Sequence, residues 1–210
     1  MKLGIPKEIK NGENRIALTP KGVGLLVQQG HIVLVEASAG IASGFSDALY
    51  HQAGAVLVSQ ADVWSAEWVI KVKEPLAEEY HFFRPNLGIF TFLHLAAVPE
   101  LAKALMKESV RAMAYETIAL DDGSLPLLAP MSQIAGRVSM LMAVEYLRKN
   151  TIKSSNGIKQ KGMLLGGVTG VNTGHVSVLG AGNVGVQAAD VALALGASVC
   201  LFDCKQSRLD

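Results

Sequence analysis

Short apolar runs alternate with amphipathic, turn-bounded stretches along this chain. Leu3 to Ile5 is the first run, followed by a charged loop from Pro6 to Arg15. Thr19-Pro20 predicts a helix start, with Thr as N-cap and Pro at the first helical position, and Gly30 predicts its end. His31 to Glu36 reads as the next strand. Asp47 is expected to cap a helix that Gly54 ends, and Ala55 to Val58 is strand again. Trp68 to Val72 runs into Lys73-Glu74-Pro75, and Gly88 to Phe92 runs into Leu93-His94. Pro99 to Lys107 is helical, and Val110 to Ala114 is a strand leading to Tyr115-Glu116. Strands alternating with helices of about ten residues predict an α/β fold with a parallel sheet covered on both faces. Residues 1–130 are read as one such domain.

Ser132 to Lys149 has the length and period of a long helix, with Ile134, Val138, Leu141, Met142 and Leu147 able to share an apolar stripe. Residues 131–150 are expected to connect two domains. Asn150 to Lys161 is polar and reads as an exposed loop. Residues 151–210 then carry the most informative pattern. An apolar strand from Val176 to Leu179 meets Gly180-Ala181-Gly182-Asn183-Val184-Gly185. An Ala-rich helix follows to Leu195, and a second strand, Ser198 to Phe202, ends on Asp203.

Each part of that pattern has a physical task. Gly180 allows the tight turn, Gly182 lets a pyrophosphate approach the backbone at the positive end of the helix, and Gly185 lets helix and strand pack closely. Asp203, about 20 residues on, can accept hydrogen bonds from a ribose. A lone Gly-rich turn means little. With strand, helix and acid all in place, the pattern predicts the first βαβ unit of a Rossmann dinucleotide-binding domain.

Composition adds exclusions. Half of the 210 residues are hydrophobic and 18% are charged, with a net charge of +1, which gives no field favouring nucleic acid or anionic lipid. No apolar run reaches the ~18 residues of a membrane span, and Met1-Lys2-Leu3 leads straight into a strand, so a cytoplasmic protein is expected. Cys200 and Cys204 are the only cysteines and read as reduced thiols, with no metal-ligand cluster nearby.

In a parallel α/β sheet, ligands collect beyond the carboxyl ends of the strands. Lys73 and His94 sit there, and Arg15 lies in the loop after the first strand. These groups suit a small substrate with a carboxylate and a reducible carbonyl. Arg would clamp the carboxylate, Lys would polarise the carbonyl oxygen, and His would move protons near neutral pH. Taken alone, a strand-end Lys is more often solvated, and a His between Leu93 and Leu95 is more often a hydrogen-bonded core residue. His31, His51, His81 and His175 have no comparable placement.

The same segments carry a family likeness. Gly4-Ile5-Pro6-Lys7-Glu8-Ile9-Lys10, Glu13-Asn14-Arg15, Ala17-Leu18-Thr19-Pro20 and Gly44-Phe45 resemble alanine dehydrogenases. So do Lys71-Val72-Lys73-Glu74-Pro75, Thr91-Phe92-Leu93-His94-Leu95-Ala96-Ala97, Ala114-Tyr115-Glu116-Thr117 and Leu125 to Ser132. The related transhydrogenase α subunit shares the start and the Gly-rich turn, but is not expected to carry His94 in Leu-His-Leu-Ala or the run Ala129-Pro130-Met131-Ser132.

The resemblance implies reversible, NAD-dependent oxidative deamination of L-alanine to pyruvate and ammonia. It places Arg15 and Lys73 on the substrate, makes His94 the acid/base residue with Lys73 beside it, and sets Met131 and Ser132 at the nicotinamide. Gly180, Gly182, Asn183, Val184, Gly185, Asp203 and Arg208 would hold the rest of the cofactor. It also implies a homohexamer. From the residues themselves, Asp203 disfavours a 2′-phosphate by charge, so NAD is expected over NADP, although Lys205 and Arg208 nearby weaken the point.

Gln133 stands where the family suggests Glu, Phe92 where Tyr is common, and Thr169 where Pro is expected. The polar loop before Thr169 is also longer than usual. Because only two strands of the second domain are in the sequence, the chain is expected to be a fragment, a truncated product or one half of a larger assembly. As such it would be a poor catalyst alone. Two rivals remain: a degenerate member that folds or binds nucleotide without chemistry, and the NAD-binding part of a transhydrogenase.

Overall fold

Apolar runs of three to five residues build the strands, and the turn residues after them set where each strand stops. A computed structural model describes residues 1–148 and 162–210, in two units, Met1–Ile118 and Ala119–Asp210. The polar loop expected over 150–161 lies outside the described residues.

The first unit contains β1 (Lys2–Ile5), β2 (Ile32–Glu36), β3 (Val56–Val58), β4 (Trp68–Ile70), β5 (Gly88–Thr91) and β6 (Arg111–Ala114). They form one sheet in the order β3-β2-β1-β4-β5-β6, with every neighbouring pair parallel. β1 therefore lies beside both β2 and β4, and the winding reverses between β1 and β4. A crevice at the carboxyl ends of such a strand pair is the usual ligand position in doubly wound sheets.

Helices α1 (Pro20–Gln28), α2 (Asp47–Gln52), α3 (Gln60–Trp64) and α4 (Pro99–Lys107) connect the strands. Thr19 caps α1 as expected, its hydroxyl accepting from the Gly22 N–H at 3.2 Å. Ser46, rather than Asp47, occupies the cap position of α2. The Asp47 carboxylate instead accepts from the N–H of Ser38, which has a left-handed backbone with φ of 64°. Asp47 is already the first helical residue, one position past the extended cap, so its side chain is free to serve the neighbouring turn. Helix α3, capped by Ser59, has only five residues, too short for a helical period to show in the sequence.

Two apolar clusters fill this unit. Leu3, Ile5, Val23, Val33, Val35, Ala39, Tyr50 and Ala55 pack around β1 and β2. Trp64, Val69, Phe83, Leu87, Ile89, Leu93, Leu101 and Leu105 pack around β4 and β5. The strands at the sheet centre are thus buried on both faces, as parallel sheets require.

In the second unit, α5 (Ala129–Leu147) packs on α6 (Asn183–Ala194), and β7 (His175–Leu179) pairs in parallel with β8 (Ser198–Phe202). The long helix thus belongs to this unit, whose start precedes the boundary expected at 130. Of the apolar stripe expected on it, Leu147 packs inward and the other four members do not. Ile134, Val138, Leu141 and Met142 are exposed, and the packed face carries Gly136, Met140, Ala143, Val144 and Leu147. The reason is steric. A Cβ on Gly136 would stand 2.2 Å from the Val184 carbonyl oxygen, so close approach of the helices, rather than the larger side chains, selects the buried face.

Candidate active site

In the first unit the loop after β1 carries Glu8, Lys10, Glu13 and Arg15, and the turn after β4 carries Lys73 and Glu74. The two segments share charges. Glu13 accepts from Arg15 Nε at 2.8 Å with one oxygen and from a terminal guanidinium nitrogen at 2.6 Å with the other, a two-pronged pair. The Arg15 side chain holds the Glu13 carboxyl at about 2, and the charge of Lys73 adds to the effect. The charges of Arg15 and Lys73 therefore both bear on one carboxylate, although the two residues are 58 positions apart in sequence.

Glu74 pairs with Lys10. Burial pushes its carboxyl up, but the Lys10 hydrogen bond and charge, with the charge of His94, leave it below the ordinary value.

His94 follows β5 and is exposed, with its backbone in the left-handed region at φ 48°. Such a conformation is uncommon outside glycine and needs outside support. Glu116, just past β6, provides it. Its carboxylate accepts from the His94 N–H at 2.7 Å and from the Leu93 N–H at 3.1 Å. The Phe92 ring lies nearly parallel to the imidazole, at 6.0 Å and 11°. Where Tyr was expected, an apolar ring thus backs the histidine. A cavity of about 390 Å³ adjoins it, lined by Leu93, His94, Leu95, Ala114, Glu116 and Thr117 among others.

The second unit presents the Gly-rich turn. Gly180 has φ +104°, which strongly favours glycine, and open space lies where its Cβ and that of Gly182 would project. A Cβ on Gly185 would meet the Gly180 carbonyl oxygen at 1.7 Å, so this glycine serves helix-on-turn packing. Gly182 precedes α6, whose first residues are Asn183 and Val184, both exposed. A cavity of about 400 Å³ opens here, lined by Gln133, Ala181, Gly182, Asn183, Val186, Gln187 and Arg208. Ser132 stands in the first turn of α5, beside the cavity residue Gln133. An open glycine pair at a helix N-terminus beside a cavity of this size fits a nucleotide pyrophosphate.

Asp203 ends β8. Its carboxylate accepts from Lys205 N–H and Ala181 N–H, both at 2.8 Å, and from Arg208 at 3.3 Å. The two backbone donors come first in holding its carboxyl at about 2. Its side chain is thus tied to the glycine turn, and Arg208 sets a positive charge beside it. Among the described residues, no helix is long and apolar enough to cross a membrane.

Sequence reasoning assigned no role to Glu8, Glu13 and Glu116, whose carboxylates accept from Val72 N–H, from the Arg15 guanidinium and from the Leu93 and His94 N–H groups. Glu13 lies only two residues from Arg15, whereas Glu8 and Glu116 act on backbone N–H groups brought near by the fold, which leaves no spacing signal. Asp47 at its turn belongs to the same class of contact.

The architecture is that of a doubly wound α/β unit followed by a βαβ unit of the dinucleotide-binding type. The profile of the alanine dehydrogenase/PNT N-terminal domain matches residues 4–135, and that of the C-terminal domain matches residues 148–210. The chain belongs to the alanine dehydrogenase/PNT family. It is 50% identical to an alanine dehydrogenase of Geobacillus stearothermophilus, over all of this chain and 55% of that protein. It is 53% identical to one of Staphylococcus haemolyticus, over all of this chain and 54% of that protein. Among solved structures, an L-alanine dehydrogenase superposes with a TM-score of 0.90 at 49% identity, covering all of this chain and 56% of the other. A transhydrogenase from Sinorhizobium meliloti superposes at 0.81 with 25% identity, covering 99% and 60%. The chain spans about half the length of the curated relatives it matches.

Proposed function

We propose that this chain carries substrate- and nucleotide-binding elements for the NAD-dependent interconversion of L-alanine with pyruvate and ammonia. The observation that carries the reading is the placement of Arg15 after β1, Lys73 after β4 and His94 after β5, around the point where the sheet reverses its winding. Arg15, its guanidinium already set by Glu13, holds the substrate carboxylate. Lys73 polarises the oxygen of the reacting carbonyl. His94 takes up and returns the proton at its imidazole.

A bound NAD would supply the hydride acceptor for alanine oxidation, and NADH the hydride donor for the reverse. Residues of the second unit would hold the cofactor: Gly180, Gly182, Asn183, Val184 and Gly185 for the pyrophosphate, Ser132 for the nicotinamide, and Asp203 and Arg208 for the adenosine part. The negative Asp203 favours NAD over NADP. The family likeness favours a homo-oligomer, which light scattering checks, and the lack of an apolar span or signal core in the sequence favours the cytoplasm.

Calorimetry with NADH and with pyruvate, beside an alanine-dependent NADH assay, tests the proposal. Binding of both is expected, with Arg15→Ala and Lys73→Ala each losing pyruvate. An absence of NADH binding, or pyruvate affinity untouched by both variants, overturns it. Binding without turnover supports the inactive-member reading. Hydride exchange between NADH and an oxidised analogue without alanine supports the transhydrogenase reading.

A further inference from the structure

Lys71, two residues before Lys73, is 1% exposed and lies between two buried carboxylates. Its ammonium is 2.8 Å from Glu79 and 3.3 Å from Glu8, and all three side chains are at most 2% exposed. Three buried charges are costly to hold in an interior, and apolar side chains could fill the same space at lower cost. What the cluster accomplishes is visible in the carboxylate oxygens that do not face Lys71.

Glu8 accepts from the Val72 N–H at 2.6 Å, and Glu79 accepts from the Leu76 N–H at 2.9 Å. Thr91, fully buried on β5, donates its hydroxyl to the Lys73 carbonyl at 2.9 Å. The main chain on both sides of Lys73 is therefore tied by side chains from three other segments: the loop after β1, the turn that follows, and β5. Glu8 stands on the same loop as Arg15.

We infer that Glu8 is a positioning residue: held by Lys71, it fixes the Val72–Lys73 backbone to the Arg15 loop and so sets where the Lys73 ammonium points. The inference rests on the proposed role of Lys73. The carboxylate is required rather than merely its shape. An amide whose oxygen took the Val72 N–H would turn its NH2 toward the Lys71 ammonium, setting donor against donor. Glu8→Gln should therefore release the turn while leaving side-chain volume unchanged.

The test uses the full chain with Glu8→Gln and Thr91→Val, the second loosening the same turn without touching the charged cluster. Three quantities are read: amide exchange at Val72 and Lys73, the pH-dependent rate at which Lys73 is reductively methylated relative to the other lysines, and pyruvate affinity. A merely structural role would lower the melting temperature without moving the Lys73 methylation profile.

Expected for a folded Glu8→Gln are roughly tenfold faster exchange at Val72, a displaced Lys73 profile and at least roughly tenfold weaker pyruvate binding. Thr91→Val should move the same three in the same direction, and it decides the matter if Glu8→Gln does not fold. Folded variants with unchanged exchange and an unchanged Lys73 profile overturn the inference. So does loosened exchange with pyruvate affinity intact while Lys73→Ala abolishes it. If Lys73→Ala itself leaves pyruvate binding unchanged, the proposed function fails, and exchange with methylation alone decides the Glu8 assignment.

Discussion

Glu13 orients Arg15 before any substrate arrives, and the pairing has a pH signature. The Glu13 carboxyl falls from 4.5 to about 2 on folding, chiefly through its hydrogen bond from Arg15. An acid depressed in this way contributes stability fully present above pH 4.5, and that stability is lost as pH falls through about 2. Carbon NMR titration of the Glu13 carboxyl should give a midpoint near 2, with the Arg15 Nε signal following it; a midpoint near 4.5 would count against the pairing. At His94, Glu116→Ala strips the acceptor from two N–H groups, and should cost about 1–3 kcal/mol in denaturant unfolding, with Glu116→Gln costing less. The positions of Lys73 and His94 beyond strand ends, and of Arg15 in the loop after the first strand, were legible because the apolar runs mark where the strands stop. Glu8 and Glu116 were not. Their hydrogen bonds reach backbone N–H groups 64 and 22 residues away, and a contact to main chain leaves no complementary side chain at a recognisable spacing in the sequence.

Helix and strand positions were the most readable level, because caps, prolines and short apolar runs act locally. The helix Pro99–Lys107 and the strand Ser198–Phe202 have the bounds expected from sequence. Which face of a long helix is buried is a tertiary property, and there the reading of α5 failed. The contact of Gly136 with the Val184 carbonyl supplies the test. Gly136→Ala places a Cβ 2.2 Å from a backbone oxygen that cannot turn aside, so α5 and α6 must separate. A loss of about 1–3 kcal/mol is expected by calorimetric or denaturant unfolding. An unchanged stability would mean that the two helices are not in this register.

For the molecule as a whole, the order of the six strands explains why residues remote in sequence share one rim. Alternation of strands and helices indicated a parallel sheet but could not reveal which strands are neighbours, since that follows from long-range pairing. The glycine turn provides a contrast between stability and binding. Gly182→Val projects into open space and should change stability by no more than about 1 kcal/mol while weakening NADH binding at least roughly tenfold. Gly185→Ala drives a Cβ into the Gly180 carbonyl and should lose stability first. Calorimetry beside thermal unfolding separates the two. Trp64, sealed in the cluster around β4 and β5, and Trp68, on β4 itself, are the only tryptophans in the chain. Indole emission is therefore a native optical probe of residues 1–118 alone, and comparing it with far-UV dichroism during unfolding shows whether the Ala119–Asp210 portion melts at the same denaturant concentration.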